Sequence, residues 1–460
     1  MPAFDLTDLL TSLRLGQRRA SDVIAQAMAQ AATPACARAY CLLQAGSART
    51  AALAADHALD AAAHADKAAM PAQAPLLGAP ISIKDLYDVQ GEVTTAGSSV
   101  LASAPAASAD ALAVARLRRA GAVFTGRTQM SEFAFSGVGI NPHQGTPANP
   151  ALAALGRPGR ILGGSTSGGA VSVACGAAWA TLGSDTGGSL RIPAALHGLV
   201  GYKCSQQLVP ADGSIALAPS LDTVGAITLS VRDAILLHEV LADRRVALTR
   251  KPLTQRRAAV VKPLFQDQLD ASVRASWEAA VDQLRRAGLT IDEIDLPELT
   301  ELPALTANGG ITAAEAWAGH SARLADHAAE YDPRVVTRIR RGEAIDAATL
   351  AALHMARRDW ITRVQARLQS FDVVLSPTVP IEAPAIADLV ASDDEFFRVN
   401  ALLLRNPSVV NLFDGCAISL PCQAPGHLPV GLMLWAGNGA DDDLLDCALA
   451  VETALAQAHA

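Results

Sequence analysis

The chain has 460 residues, half of them hydrophobic, and a formal charge of −8 at pH 7 with both signs mixed along its length. That balance excludes a basic nucleic-acid-binding face, and no apolar run reaches the roughly 18 residues that a membrane span requires. The seven cysteines are scattered without a CxxC pair, the ten histidines show no HExxH spacing, and MPAFDLTDLL has no basic-then-apolar leader. The expectation is a reduced, cytoplasmic protein with no metal and no cofactor.

In chain order, two amphipathic helices are predicted over 7–31, parted at Gly16, with Thr7 and Ser21 as N-caps. A long alanine-rich helix follows over 46–68, then a short Pro-Ala-Gln-Ala-Pro loop and an apolar strand over 79–84. A helix at 109–120 and a strand at 122–126 begin a β-α-β rhythm that continues with helix 168–178 and strand 179–183. A helix spans 231–243; the pattern restarts with strand AAVVKPL, helix 268–287 and strand LTIDEIDL. Residues 310–370 are mostly helical and rather polar. Strands at 372–380, 417–422 and 430–436 and a helix at 441–458 close the chain. No composition shift marks a linker and no repeat occurs. The fold class is therefore α/β: one large domain over 1–460, a central mixed, twisted β-sheet covered by helices on both faces. Within it lie N-terminal helices to residue 65, a core over 66–245 and a variable helical section over 300–365. The arginines from Arg338 to Arg341 and the acidic run Asp441–Asp443 read as solvated faces.

Lysine use is more specific. Lysine occurs five times against 32 arginines, so arginine serves wherever plain positive charge suffices. Lys84 ends the apolar strand in LLGAPISIKDLYDV. Lysine loses its proton when desolvated and arginine does not, which makes Lys84 a candidate base. Pairing with Asp85 at a strand end is the other reading.

Residues 163–191, GGSTSGGAVSVACGAAWATLGSDTGGSLR, carry two Gly-Gly-Ser turns whose serines are Ser165 and Ser189. Glycine beside a hydroxyl lets backbone approach a bound group closely. Two such turns offer hydroxyls and free N–H groups around one point, which is what acyl transfer requires. The loop lacks the GK[ST] of a phosphate loop and the spacing of a dinucleotide fingerprint, and the chain has no GxSxG elbow. Small residues serving only close helix–sheet packing remain the alternative.

With those residues in place, the chain resembles the amidase signature family. The likeness is close through GGSTSGGAVSVACGAAWATLGSDTGGSLRIPAALHGLVGYK and PLLGAPISIKDLYDVQGEVTTAGS. It continues through SIALAPSLDTVGAITLSVRDA and, more weakly, DVVLSPTVPIEAPA and NLFDGCAISLP. The resemblance implies a Ser-Ser-Lys relay: Ser189 as nucleophile, Ser165 in a cis peptide as the bridge, Lys84 as the base. It implies backbone oxyanion donors at Thr186, Gly187 and Gly188. Asp185 and Arg191 would brace the loop, and Phe133, Ala134, Phe135 and Ser136 would line the pocket. The implied activity is hydrolysis of a small-molecule amide, with a homodimer as the family-level expectation. An amidotransferase A-type subunit feeding ammonia to a partner is the rival, and a non-catalytic binding protein a second. A neutral Lys84 further requires that the Asp85 carboxylate point away.

This chain departs from the family pattern at Thr166, at Cys204 and Gln207, at His197, where a packed helix histidine is favoured, and at Gln129 and Ser131. Those departures bear on substrate preference. Aliphatic, aryl and urea-type amides all stay open, with the pocket built partly by 300–365 and by loops near 130–150 and 380–410.

Overall fold

Strands from both halves of the chain join one mixed sheet. A computed structural model describes residues 4–64 and 74–457. Its strands in chain order are β1 (Tyr40–Leu43), β2 (Pro80–Lys84), β3 (Val123–Thr128), β4 (Ala180–Asp185), β5 (Val200–Lys203) and β6 (Thr223–Thr228), followed by β7 (Arg257–Val261), β8 (Thr290–Ile294), β9 (Val373–Pro377), β10 (Cys416–Pro421) and β11 (Gly431–Ala436). They align in the order β1-β3-β2-β4-β6-β5-β10-β11-β9-β7-β8. β2 runs parallel to both β3 and β4, β7 runs parallel to β8 and β9, and the remaining pairs are antiparallel. Helices flank both faces of this single α/β domain.

Burial follows position in the sheet. Every residue of β2, β3, β4 and β6 is buried, whereas β1 and β8, at the two edges, stay largely open. Strands covered on both faces often read as unbroken apolar runs, as VVL of β9 and LMLWA of β11 do, whereas ISIK of β2 alternates and buries its Ser82 against Ser172.

Three strands and one long helix escape the sequence reading. β5 and β6 carry Gly201 and Gly225, which read as turn residues. An added Cβ at Gly201 would lie 2.6 Å from the Leu190 carbonyl oxygen, and one at Gly225 2.5 Å from that of Tyr202. Gly201 admits the Leu190 backbone that packs on the sheet, and Gly225 admits that of Tyr202 in the neighbouring β5, so neither glycine turns the chain. β1 is short and exposed. The expected loop near 380–410 is largely a helix, Asp393–Leu412, which carries Pro407 and whose cap Ser392 accepts from the Glu395 N–H.

The N-terminal caps are also corrected. Asp5 caps Leu6–Arg14, while Thr7 donates to Asp233. Ser21 lies inside Ala20–Ala31, and the N–H groups of Ala20 and Ser21 donate to Asp56 of the long helix. That helix spans Ala45–His64; its expected last turn at 65–68, Lys67 and the first residues of the following loop lie outside the described residues. Asp441 is not a solvated charge: it is buried, accepting from Tyr202 Oη at 2.6 Å and Ser205 N at 2.9 Å.

Candidate active site

The C-terminal ends of the parallel pair β2 and β4 carry the candidate chemistry. In parallel α/β sheets that end is where side chains converge on a crevice. Lys84 is the last residue of β2 and is fully buried. Its Nζ donates to Ser165 Oγ at 2.7 Å and to Ser184 Oγ, on β4, at 2.8 Å. Burial drives the Lys84 pKa down to about 7, against Asp185 and Asp222, whose carboxylates favour the ammonium. Asp85 does point away: Arg127 holds its carboxylate at 2.9 Å.

The Gly164–Ser165 peptide bond is cis. Neighbours hold this turn on both sides. Gly164 N donates to Gly137 O at 2.8 Å, and Ser131 N donates to Ser165 O at 3.2 Å. Glycine is needed at 164 because a Cβ would lie 2.8 Å from the backbone atoms Gly139 N and Ser136 O.

The second turn, 186–189, leaves the end of β4. Asp185 anchors it with both carboxylate oxygens. Oδ2 accepts from Arg191 Nε at 3.0 Å and Leu190 N at 3.2 Å. Oδ1 accepts from Arg191 Nη2 at 2.9 Å, Asn411 Nδ2 at 2.9 Å and Gly188 N at 2.8 Å. Burial alone would raise the Asp185 pKa, but Arg191, Asn411 and Lys203 hold it far below the usual carboxylate range. Arg191 reaches on to Pro407 O at 3.0 Å and Asn411 Oδ1 at 2.6 Å. The helix absent from the sequence reading thus buttresses the loop.

This anchoring corrects one expectation. The Gly188 N–H is spent on Asp185 and does not face the cavity. Among the described residues, the N–H groups of Thr186, Gly187 and Ser189 have no acceptor. The Ser189 N–H does not stand out from the sequence. Thr186 Oγ1 donates to Asp222 at 2.5 Å, fixing the start of the loop.

Ser189, Thr186 and Gly187 line a cavity of about 220 Å³ together with Ala134, Phe135 and Ser136. Phe133 does not line it. Its ring stacks on Tyr331 at 5.1 Å and meets His320 at 4.4 Å, so it packs behind the wall. The 134–137 stretch is tied to the Asp393–Leu412 helix through Gly137 N and Asn400 Oδ1, 2.9 Å apart. No hydrogen bond joins the Ser165 and Ser189 hydroxyls among the described residues. His197 is buried away from the cavity, with Nδ1 2.8 Å from Pro193 O, and desolvation lowers its pKa to about 4. The described residues contain no group of three or more metal-ligating side chains, and no described helix is long and apolar enough to cross a membrane.

The family model described as Amidase matches residues 32–445. The chain belongs to the amidase family. As an amidase, it is 35% identical over 395 residues to a 2-amino-5-chloromuconic acid deaminase of Comamonas testosteroni, covering 84% of this chain and 83% of that one. It is 34% identical over 441 residues to a component of the glutamyl-tRNA(Gln) amidotransferase of Symbiobacterium thermophilum, covering 87% and 88% of the two chains. A solved amidase structure superposes with a TM-score of 0.86 at 29% identity, covering 98% of this chain and 99% of that one. The fold and the amide-hydrolysing class of this amidase rest on these matches together.

The structure also brings in residues that sequence reasoning passes over. Ser184 is the second partner of Lys84, and its place one residue before Asp185 is the available signal. Asn411 sits in the weakly matching NLFDGC segment. Arg338 and Arg341, which read as solvated in the sequence, line the cavity.

Proposed function

We propose that this amidase hydrolyses the C–N bond of a small carboxamide through a Ser189 acyl-enzyme, with Ser165 and Lys84 as the proton relay. Neutral Lys84 accepts the Ser165 proton while Ser165 accepts that of Ser189. Ser189 Oγ bonds to the amide carbon, and the carbonyl electrons move to oxygen. The N–H groups of Thr186, Gly187 and Ser189 receive that oxyanion; one such donor is typically worth about 3–4 kcal/mol. Ser165 returns a proton to the departing nitrogen, and the C–N bond breaks to release ammonia or an amine. Water then attacks the ester, gives its proton back through the same relay, and frees the acid.

The observation that carries the reading is the 2.7 Å contact between a buried, uncharged-prone lysine and Ser165. The proposed relay requires the Ser189 hydroxyl to come within hydrogen-bond reach of Ser165 during the attack. The test is ammonia release from a panel of simple amides by the purified chain alone. Activity should be abolished in Ser189→Ala and retained by the wild-type chain without any companion protein. Wild-type turnover by Ser189→Ala would defeat the assignment.

A further inference from the structure

The cavity beside Ser189 carries charge of one sign. Arg338 and Arg341 both line it, while no aspartate or glutamate does. They stand three residues apart where the Pro333–Arg340 helix passes into a 3-10 turn, so they project to one side. Their neighbour Arg334 pairs with Asp393 at 2.7 Å. Among the described residues no carboxylate pairs with Arg338 or Arg341.

Arg338 is not a free surface charge. It is half-buried, its guanidinium lies 4.2 Å above the Phe135 ring, and it donates to the Phe135 carbonyl. Packing therefore fixes the orientation of one fork beside the wall that Phe135 forms. Desolvation, reinforced by Arg341, pulls its pKa below the ordinary guanidinium value, to about 9, leaving it charged at neutral pH. Arg341 is exposed at the same wall, with Phe397 as its ring neighbour at 6.0 Å. Holding two like charges close together, one of them partly desolvated, is unfavourable and is relieved when an anion joins them. Planar guanidinium forks match a carboxylate in two-point hydrogen bonding. Leu217, Leu221, Leu305 and Ile311 supply apolar walls to the same space.

We infer that the substrate is an anionic amide: a short acyl chain whose carbonyl reaches Ser189 and whose far carboxylate is received by Arg338 and Arg341. This rests on the hydrolytic reading of the same cavity and narrows it to monoamides of dicarboxylic acids or close equivalents. The two arginines act as specificity residues and take no part in proton transfer.

The experiment compares malonamate, succinamate, glutaramate and adipamate with uncharged alkyl amides of matching length. At least one anionic amide should exceed its uncharged partner in kcat/KM by about 10- to 100-fold, the range charge-assisted hydrogen bonds supply. Arg341→Gln, at an exposed position, should cut that preference at least tenfold, mainly through KM. Arg341→Lys and Arg338→Lys should keep part of it. Binding of glutarate and adipate to Ser189→Ala, measured by calorimetry, is a second readout independent of turnover and should weaken in Arg341→Gln. Turnover of uncharged amides with no anionic preference and no dicarboxylate binding would overturn this inference while leaving hydrolysis intact. Arginine-dependent dicarboxylate binding by a chain that cleaves no amide would uphold the anion site and overturn the hydrolytic reading. A preference that survives both Arg341→Gln and Arg338→Gln in folded protein would overturn the assignment to these residues.

Discussion

Protonation of Lys84 should control the pH profile. Its pKa falls from 10.5 to about 7, a shift produced by burial, which corresponds to roughly 5 kcal/mol of differential stabilisation of the amine over the ammonium. At neutral pH about half of the enzyme then holds a neutral base, against roughly 0.03% for an unshifted lysine. Measured as ammonia release between about pH 5.5 and 9.5, kcat/KM should fall about tenfold per unit below pH 7 and level off above about 8. Asp222 and Asp185 both favour the ammonium, so Asp222→Asn should move the acid limb to lower pH while its amide oxygen still receives Thr186. The linkage sign follows from the same shift. The folded pKa lies below the unfolded one, so the unfolded chain binds the extra proton between about 7 and 10.5. Lys84 should therefore contribute stability that rises with pH across that window, opposed above about 9 by the buried thiols of Cys204, Cys422 and Cys447, whose pKa burial raises, and Lys84→Met should remove the Lys84 contribution. A limb above pH 9, or a flat profile through pH 7, would refute the reasoning.

Ser165→Ala and Ser189→Ala should each lower kcat by about 10³-fold or more, with circular dichroism and melting close to wild type. A serine-directed sulfonyl fluoride should add to wild type and fail to add to Ser189→Ala, as intact mass would record. Asp185→Asn strands the fully buried Arg191; loss of one partner of such a pair costs about 3–5 kcal/mol, readable as a lower denaturant midpoint. Gly201→Ala forces a Cβ to 2.6 Å from a backbone oxygen and should destabilise by about 1–3 kcal/mol, with activity falling only as the folded fraction falls.

Part of the frame is legible because strands such as β9 and β11 are buried on both faces and form apolar runs. Lys84 stands out because arginine is the default cation of this chain, and the two serine turns because glycine pairs flank them. What the sequence hides has physical causes. Gly201 and Gly225 mimic turn signals while serving close packing. Asp393–Leu412 begins with Ser392 and three acidic residues, a start signal, yet its interior proline argues against a helix. Gly188 reads as an oxyanion donor because loop sequence does not reveal where an N–H points; the Asp185 carboxylate claims it. Phe133 follows the same logic, since its left-handed φ of 48° turns its ring toward His320 and Tyr331. Arg341 is exposed, as charge patterning suggests, whereas Arg338 is half-buried against Phe135, a tertiary contact that the local sequence does not report.

The buttress around Asp185 has a consequence for biogenesis. The turn bearing Ser189 emerges from the ribosome more than two hundred residues before Asn411, which donates to that aspartate, and before β10, which completes the ladder beside β5. A nascent chain therefore carries every side chain of the proposed relay while lacking the scaffold that shapes their loop. Competence should be withheld until the Asp393–Leu412 helix has been made, and fragments cut before it should be inert however well their first strands pair.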